Sequence, residues 1–366
     1  MSRISELKIQ TLLITLVVLL SGSLGAQDLV NPLRISGLVF GDYFYNLKRD
    51  ANIIQAKDVA IGGNAKFNGF QFRRINLTFD YNISSRFSTR LRFEADQQSN
   101  TSNGRIGIYV RDAFIRWNDI FEGSDLILGI QPVPAYEISE SFWGHRFIEK
   151  TIMDLRGAVS SRDFGLSLRG RITPGGSLNY AVMIGNNSGN RPEYDNHKRI
   201  YSHIQFSPDE NFSLTAYGDY SSSDQIRYQV GNELMMFNAD GYTMALFAGY
   251  RKREKVSAGA EVFRQTVMNG FKQNETVKDK NMHGVSLFGT WFFNNTLSLA
   301  GRYDYFDPNS DTDGDSRNIW IVSFDYTTEE KIVISPNVIY ETYEETAPGV
   351  KTDPSLTLRV TFFYTF

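Results

Sequence analysis

The chain of 366 residues contains no cysteine. That excludes a disulfide framework, a thiolate metal centre, a cysteine nucleophile and a lipid anchor on an N-terminal cysteine. Histidine is also scarce, with four in all. His145, His197, His203 and His283 have no serine or paired carboxylate at a spacing that would build a triad, so an enzyme is not expected. Charge of one sign is lacking too: 38 basic residues stand against 41 acidic ones, a net charge of −3, and nothing points to nucleic acid as a partner. Long apolar runs are missing as well. The one clear run, 12–20, falls short of the ~20 residues a spanning helix requires. If this chain crosses a membrane, it does so with strands.

The short apolar run has its own meaning. Arg3 and Lys8 precede it, and the small residues Ser21, Gly22, Ser23, Gly25 and Ala26 follow it. This is the pattern of a secretory signal peptide, expected to span 1–26 with cleavage after Ala26, a cut after Gly25 being the alternative. The mature chain, 27–366, is then exported. At the other end, Leu356, Leu358, Val360, Phe362, Tyr364 and Phe366 alternate with Thr357, Arg359, Thr361, Phe363 and Thr365. An apolar face opposite a mostly polar one, ending on an aromatic, looks like the closing strand of an outer-membrane β-barrel. The apolar face would meet lipid, and the barrel-assembly machinery would take up the strand ending in Phe366. The last strand of a soluble sandwich is the other reading of this segment.

The connections decide between the two. Read at a period of two, the chain divides into about sixteen strands of about ten residues. The joints at 83–85, 118–124, 173–176, 207–210, 253–254, 294–295 and 327–330 are short. They alternate strictly with long ones at 48–69, 98–104, 133–161, 187–197, 221–241, 269–280, 307–317 and 342–354. A sandwich has no reason to sort its loops this way. An up-and-down transmembrane barrel does, with short periplasmic turns, long outer loops and both termini inside. The expected fold is therefore all-β, an antiparallel barrel of about sixteen strands in the outer membrane of a Gram-negative bacterium. Strands 1, 5, 8 and 10 carry the weakest pattern, so fourteen or eighteen strands stay open. Tyr81, Trp117, Phe206, Phe212, Tyr250, Tyr326, Tyr340 and Phe366 fall at strand ends, where an interfacial girdle belongs.

Several stretches resemble the phosphate-selective porin O and P family. They are Phe72-Arg73-Arg74 with Leu77-Thr78-Phe79, the run 110–115 (VRDAFI), 128–134 (LGIQPVP), 145–149 (HRFIE), 161–165 (SRDFG) and 301–309 (GRYDYFDPN). The resemblance implies a sixteen-strand, usually trimeric, water-filled porin whose third loop folds inward to set the constriction. The residues of that loop, 133–161, agree. It is far longer than a surface connection requires, and its Tyr136, Ile138, Phe142, Trp143, Phe147, Ile148, Ile152, Met153 and Leu155 must pack on something. The barrel interior is the expected place, and a lid or a trimer contact is the alternative.

Selection of solutes would rest on charge. The faces of strands 2, 3, 4 and 6 expected to be wet carry Arg74, Arg90, Arg92, Arg116, Arg169 and Arg171, guanidinium groups able to contact phosphate or carboxylate. The same faces hold Asp80, Glu94, Asp96, Asp112 and Asp163, so simple pairing is the competing reading. The third loop adds Glu137, Glu140, Glu149 and Asp154 against Arg146, Lys150 and Arg156. Having one lysine only, it departs from the phosphate-specific members. The expected function is passive diffusion of small hydrophilic solutes, with a modest anion preference. A channel specific for phosphate, polyphosphate or an organic anion is the first alternative, and a closed structural or adhesion barrel the second. No cofactor is expected, except that Asn309, Asp311, Asp313 and Asp315 have the every-second-residue spacing of a calcium loop without its closing glutamate.

Overall fold

The computed structural model describes residues 32–366 except 54–61, 97, 98, 100, 347 and 348. The expected signal peptide lies outside the described residues. Eighteen strands follow in chain order. They are β1 (Leu33–Lys48), β2 (Asn68–Asn82), β3 (Phe87–Ala95), β4 (Tyr109–Phe121), β5 (Ser124–Pro132), β6 (Arg162–Arg171), β7 (Leu178–Gly185), β8 (Arg199–Phe206) and β9 (Phe212–Ser221). After them come β10 (Ile226–Val230), β11 (Glu233–Phe237), β12 (Gly241–Lys252), β13 (Val256–Gln273), β14 (Thr276–Phe292), β15 (Leu297–Asp307), β16 (Arg317–Thr327), β17 (Val333–Tyr343) and β18 (Ser355–Thr365). Sixteen of them pair antiparallel in chain order, with β9 passing directly to β12, into one closed barrel sealed by β1 on β18. β10 and β11 form a separate hairpin within the fifth outer loop.

Alternation of side chains explains why the sheet closes on itself. Along β18 the odd positions Thr357, Arg359 and Thr361 are buried in the lumen, while Leu358, Val360 and Phe366 are exposed outside. Leu91, Leu128, Leu166, Val182, Ile200, Leu246, Leu287 and Val322 are exposed on the same outer surface. A continuous apolar exterior of this kind would aggregate in water, and it matches a bilayer's hydrocarbon. Closure leaves no strand edge unpaired, as hydrocarbon requires. At the seam, the Phe366 ring lies over Gly37 and the Phe362 ring over Gly41, so close that a Cβ at either glycine would clash. Backbone bonds of 2.8 and 3.1 Å join Gly37 and Phe366 there.

Two outer loops differ from the expectation. The segment 221–241 contains the β10–β11 hairpin, and 269–280 is mostly strand, since β13 and β14 run on to a tight turn at 274–275. Above the membrane both faces of a hairpin are wet, so the apolar half of the alternation disappears although the ladder continues. The segment 276–281 (TVKDKN) shows this.

The third loop folds into the lumen. It carries two short helices, α1 (Glu137–Trp143) and α2 (Ile152–Leu155), and α1 ends at Gly144, whose left-handed φ of 66° allows its N–H to bond Glu140 O. Its apolar side chains form the barrel's core. Tyr136, Ile152, Met153 and Val159 pack with Met183, Tyr201, Tyr217, Phe263 and Phe306; Phe147 and Ile148 pack with Phe40, Ile319, Ile321 and Ile339; Phe142 and Trp143 pack with Phe247 and Phe288. Trp143, Ile148, Ile152 and Met153 are at most 1% exposed. Each such side chain contributes about 1.5–3 kcal/mol relative to exposure.

Candidate constriction site

Polar contacts hold the loop against one side of the wall. Arg302 of β15 donates to Lys150 O, and Arg359 of β18 donates to Ile148 O at 2.8 Å. Ser257 Oγ of β13 donates to Phe142 O at 2.6 Å, and Arg156 pairs with Glu341 of β17 at 2.8 Å. His145 places Nδ1 2.7 Å from Trp143 O and Nε2 2.8 Å from Asp325 of β16. Through these two contacts the ring ties the loop to the wall.

The opposite wall, β2 to β6, meets the charged edge of the loop. Here the arginines expected from the sequence do face the lumen, and each of them on β2, β3 and β4 has a carboxylate partner on a neighbouring strand. Arg74 lies 3.1 Å from Glu94, Arg90 2.6 Å from Asp80, Arg92 3.1 Å from Asp112, and Arg116 3.6 Å from Asp125. Arg169 reaches Glu137 of the loop at 2.6 Å. Arg171 is exposed where β6 ends at the periplasmic turn. The pairs run across strands: Arg90–Asp80 and Arg92–Asp112 are directly opposed in register, while Arg74–Glu94 and Arg116–Asp125 reach one step diagonally. Asp163 instead accepts from Tyr201 and two backbone N–H groups, and Asp96 holds Ser99.

Two arginines on this wall break the alternation. Between Phe40 and Gly41 of β1, β2 passes from Arg74 to Phe72 with Arg73 as an extra residue; between Arg92 and Phe93 of β3, β4 passes from Asp112 to Val110 with Arg111 extra. These β-bulges turn both members of an adjacent charged pair inward. Arg73 bonds Asp42 at 2.9 Å and donates to Phe147 O and Ile148 O, and Arg111 bonds Glu94 at 2.8 Å. Adjacent charges inside a strand with an apolar outer face, Arg73-Arg74 and Arg111-Asp112, are the sequence signal for such a bulge.

Carboxylates are thereby shared. Glu94 serves Arg74 and Arg111, and Asp112 serves Arg92 and, at 2.5 Å, Arg162. On the loop, Asp154 serves Arg146 at 3.4 Å and Lys150 at 3.8 Å, while Glu140 touches Arg146 at 3.2 Å. Burial pushes the Asp154 carboxyl up, but Arg146, Lys150, Arg74 and Arg111 outweigh it and the net shift is downward. Glu137, Glu140 and Lys150 are exposed to the lumen at 37–40% of their side chains. Glu149 is the exception among the expected loop residues. It is 6% exposed and turned to the other wall, where its charge faces Arg302 and Arg359. Its N–H donates to His145 O at 3.1 Å and its carbonyl accepts from Trp143 Nε1 at 2.9 Å.

The barrel fold matches solved outer-membrane channels. The fold is a porin fold. The outer membrane channel DcaP of Acinetobacter baumannii superposes with a TM-score of 0.63 at 12% identity, over 91% of this chain and 97% of that one. An anion-selective porin from Comamonas acidovorans gives 0.61 at 11%, over 91% and 99%. The trimer form of OmpT, an outer membrane protein of Vibrio cholerae, gives 0.58 at 10%, over 91% and 99%. No family model and no curated protein matches the chain in sequence. The likeness to the phosphate-selective members therefore rests on the quoted residues alone.

The seventh loop does not gather its oxygen ligands. Asp311 and Asp313 are exposed, Asn309 is buried with its amide on Thr312 at 2.7 Å, and among the described residues no three His, Asp or Glu side chains converge to hold a metal.

Proposed function

We propose that this chain is an outer-membrane porin that lets small hydrophilic solutes diffuse passively, with a preference for anions. The apolar exterior supports the membrane placement, and the porin fold supports a channel rather than an enzyme. The supporting observation for anion preference is carboxylate sharing on the wall: Glu94 and Asp112 each answer two arginines, while on the loop Glu140 and Asp154 balance Arg146 and Lys150. The remaining positive charge faces the strip of lumen between the loop edge and β2 to β6, where Arg74 and Arg92 stand. In a narrow, partly desolvated pore such charge raises the local concentration of anions.

The signal peptide at 1–26, assembly as a homotrimer and delivery through the C-terminal strand belong to the same reading. The test is the reversal potential of the refolded chain in a planar bilayer under a KCl gradient, with and without phosphate. Anion-directed potential without block supports the general porin. Saturable block by phosphate or another anion would mean a specific channel instead, and silence from a folded sample would mean a closed barrel.

A further inference from the structure

An arginine stands on the outer surface among the described residues. Arg264 lies on the lipid-facing side of β13, where Val262 below it is exposed, and is itself exposed. Register places it opposite Met244 of β12 and His283 of β14. Its hydrogen bond among the described residues is to the neutral Asn281 Oδ1 at 2.9 Å, with no carboxylate in reach. Every arginine named above on the lumen wall of β2, β3 and β4, by contrast, has an acid. His283 also faces out, 3.7 Å from Asp307 and beside the Tyr305 ring.

Height identifies what this arginine meets. Trp291, exposed near the periplasmic end of β14, marks the lower interface. At about 3.4 Å per residue and a tilt of about 40°, the climb from Trp291 to His283 is about 20 Å, most of an apolar band about 25 Å tall. Val285 and Leu287 fill the space between, exposed to lipid. Tyr242, one step further up on β12, and Tyr305 on β15 stand at the level of an outer aromatic girdle. An unpaired guanidinium in the hydrocarbon would be costly, but at the headgroup level it has an anionic partner to hand.

We propose that Arg264, with His283 beside it in register, is a docking point for the phosphate of an outer-leaflet lipid headgroup. The planar guanidinium suits a phosphate bidentately, and the exposed Met244, Val262, Val285 and Leu287 form the apolar ground on which the acyl chains lie. This rests on the outer-membrane placement above, and not on the channel being open or anion-selective.

The full barrel, purified in detergent and stripped of lipid, is titrated with diphosphoryl lipid A in mixed micelles, binding being read by native mass spectrometry. The wild type is expected to bind, R264Q about fivefold more weakly, R264K in between, and a phosphate-free glycolipid weakly to all three. Equal affinity of R264Q and the wild type overturns the proposal. So does equal binding of the phosphate-free glycolipid, or full displacement of lipid A by millimolar inorganic phosphate, which would make a free solute the ligand. Arg264 is exposed and holds one neutral partner, so R264Q is expected to fold, as checked by its heat-modifiable migration. Bilayer conductance of R264Q is expected to equal the wild type's. A barrel that binds lipid A and stays silent faults the channel reading alone.

Discussion

Along β12 to β18 and β1, the inward side chains that meet the third loop are Phe247, Phe263, Phe288, Ile319, Ile321, Ile339 and Phe40, with Arg302 and Arg359 bonded to loop carbonyls. Along β2 to β6 the inward row is Arg74, Arg90, Arg92, Arg116 and Arg169, each in a pair. One wall buries the loop as a protein core does. The other keeps its charges at a wet edge. The same barrel thus anchors a loop with one half and presents the loop's charged edge to the other.

Substitutions should fall out along that division. The largest loss is expected from Asp304→Ala, which leaves Arg302 buried without its acid; both are at most 1% exposed. A cost of about 3–5 kcal/mol is expected in urea unfolding of the detergent-solubilised barrel. Ile148→Ala should cost about 2–5 kcal/mol by the cavity it opens, and a less firmly held loop should show as noisier single-channel current. If this variant keeps a quiet, unchanged conductance, the anchoring role of that wall is wrong. On the other wall, Arg90→Gln with Arg92→Gln should shift the reversal potential toward cations. The Arg90–Asp80 pair is a third exposed on both sides, so loss of that contact should cost only about 0–1 kcal/mol. A stability loss as large as that of Asp304→Ala would erase the distinction.

The smallest effect lies outside the barrel wall, in the seventh loop. Burial, then the charges of Asp307 and Glu344, push the Asp315 carboxyl up to about 6. A carboxyl raised in the folded state binds its proton more tightly there than in the unfolded chain. Stability should therefore rise slightly as pH falls through about 6 and level off near the unfolded value of about 4. Thermal melts of the wild type and Asp315→Asn across that range would check it, the variant showing a flatter profile.

Much of the architecture was legible because strand alternation is local. Thr357, Arg359 and Thr361 against Leu358 and Val360 place β18 without any partner in view, and the short and long joints gave the strand count. The inward arginines were legible for the same reason. Their partners were not: Arg90 and Arg92 bond Asp80 and Asp112, which register alone brings opposite them. The bulges that turn Arg73 and Arg111 inward left one trace, the adjacent charges Arg73-Arg74 and Arg111-Asp112, although an extra residue reverses the parity on which the reading depends.

The amino-acid sequence by itself determined a membrane barrel of about sixteen strands, its up-and-down order, and a third loop too apolar to stay in water. These follow from a period of two and from loop length, properties of short segments. Only the tertiary structure decided which wall the loop covers, that Glu149 turns away from the lumen, and that His145 meets Asp325 far along the chain. Those outcomes depend on which strands closure brings round to face the loop, and on a lumen whose two sides differ in what they can bury.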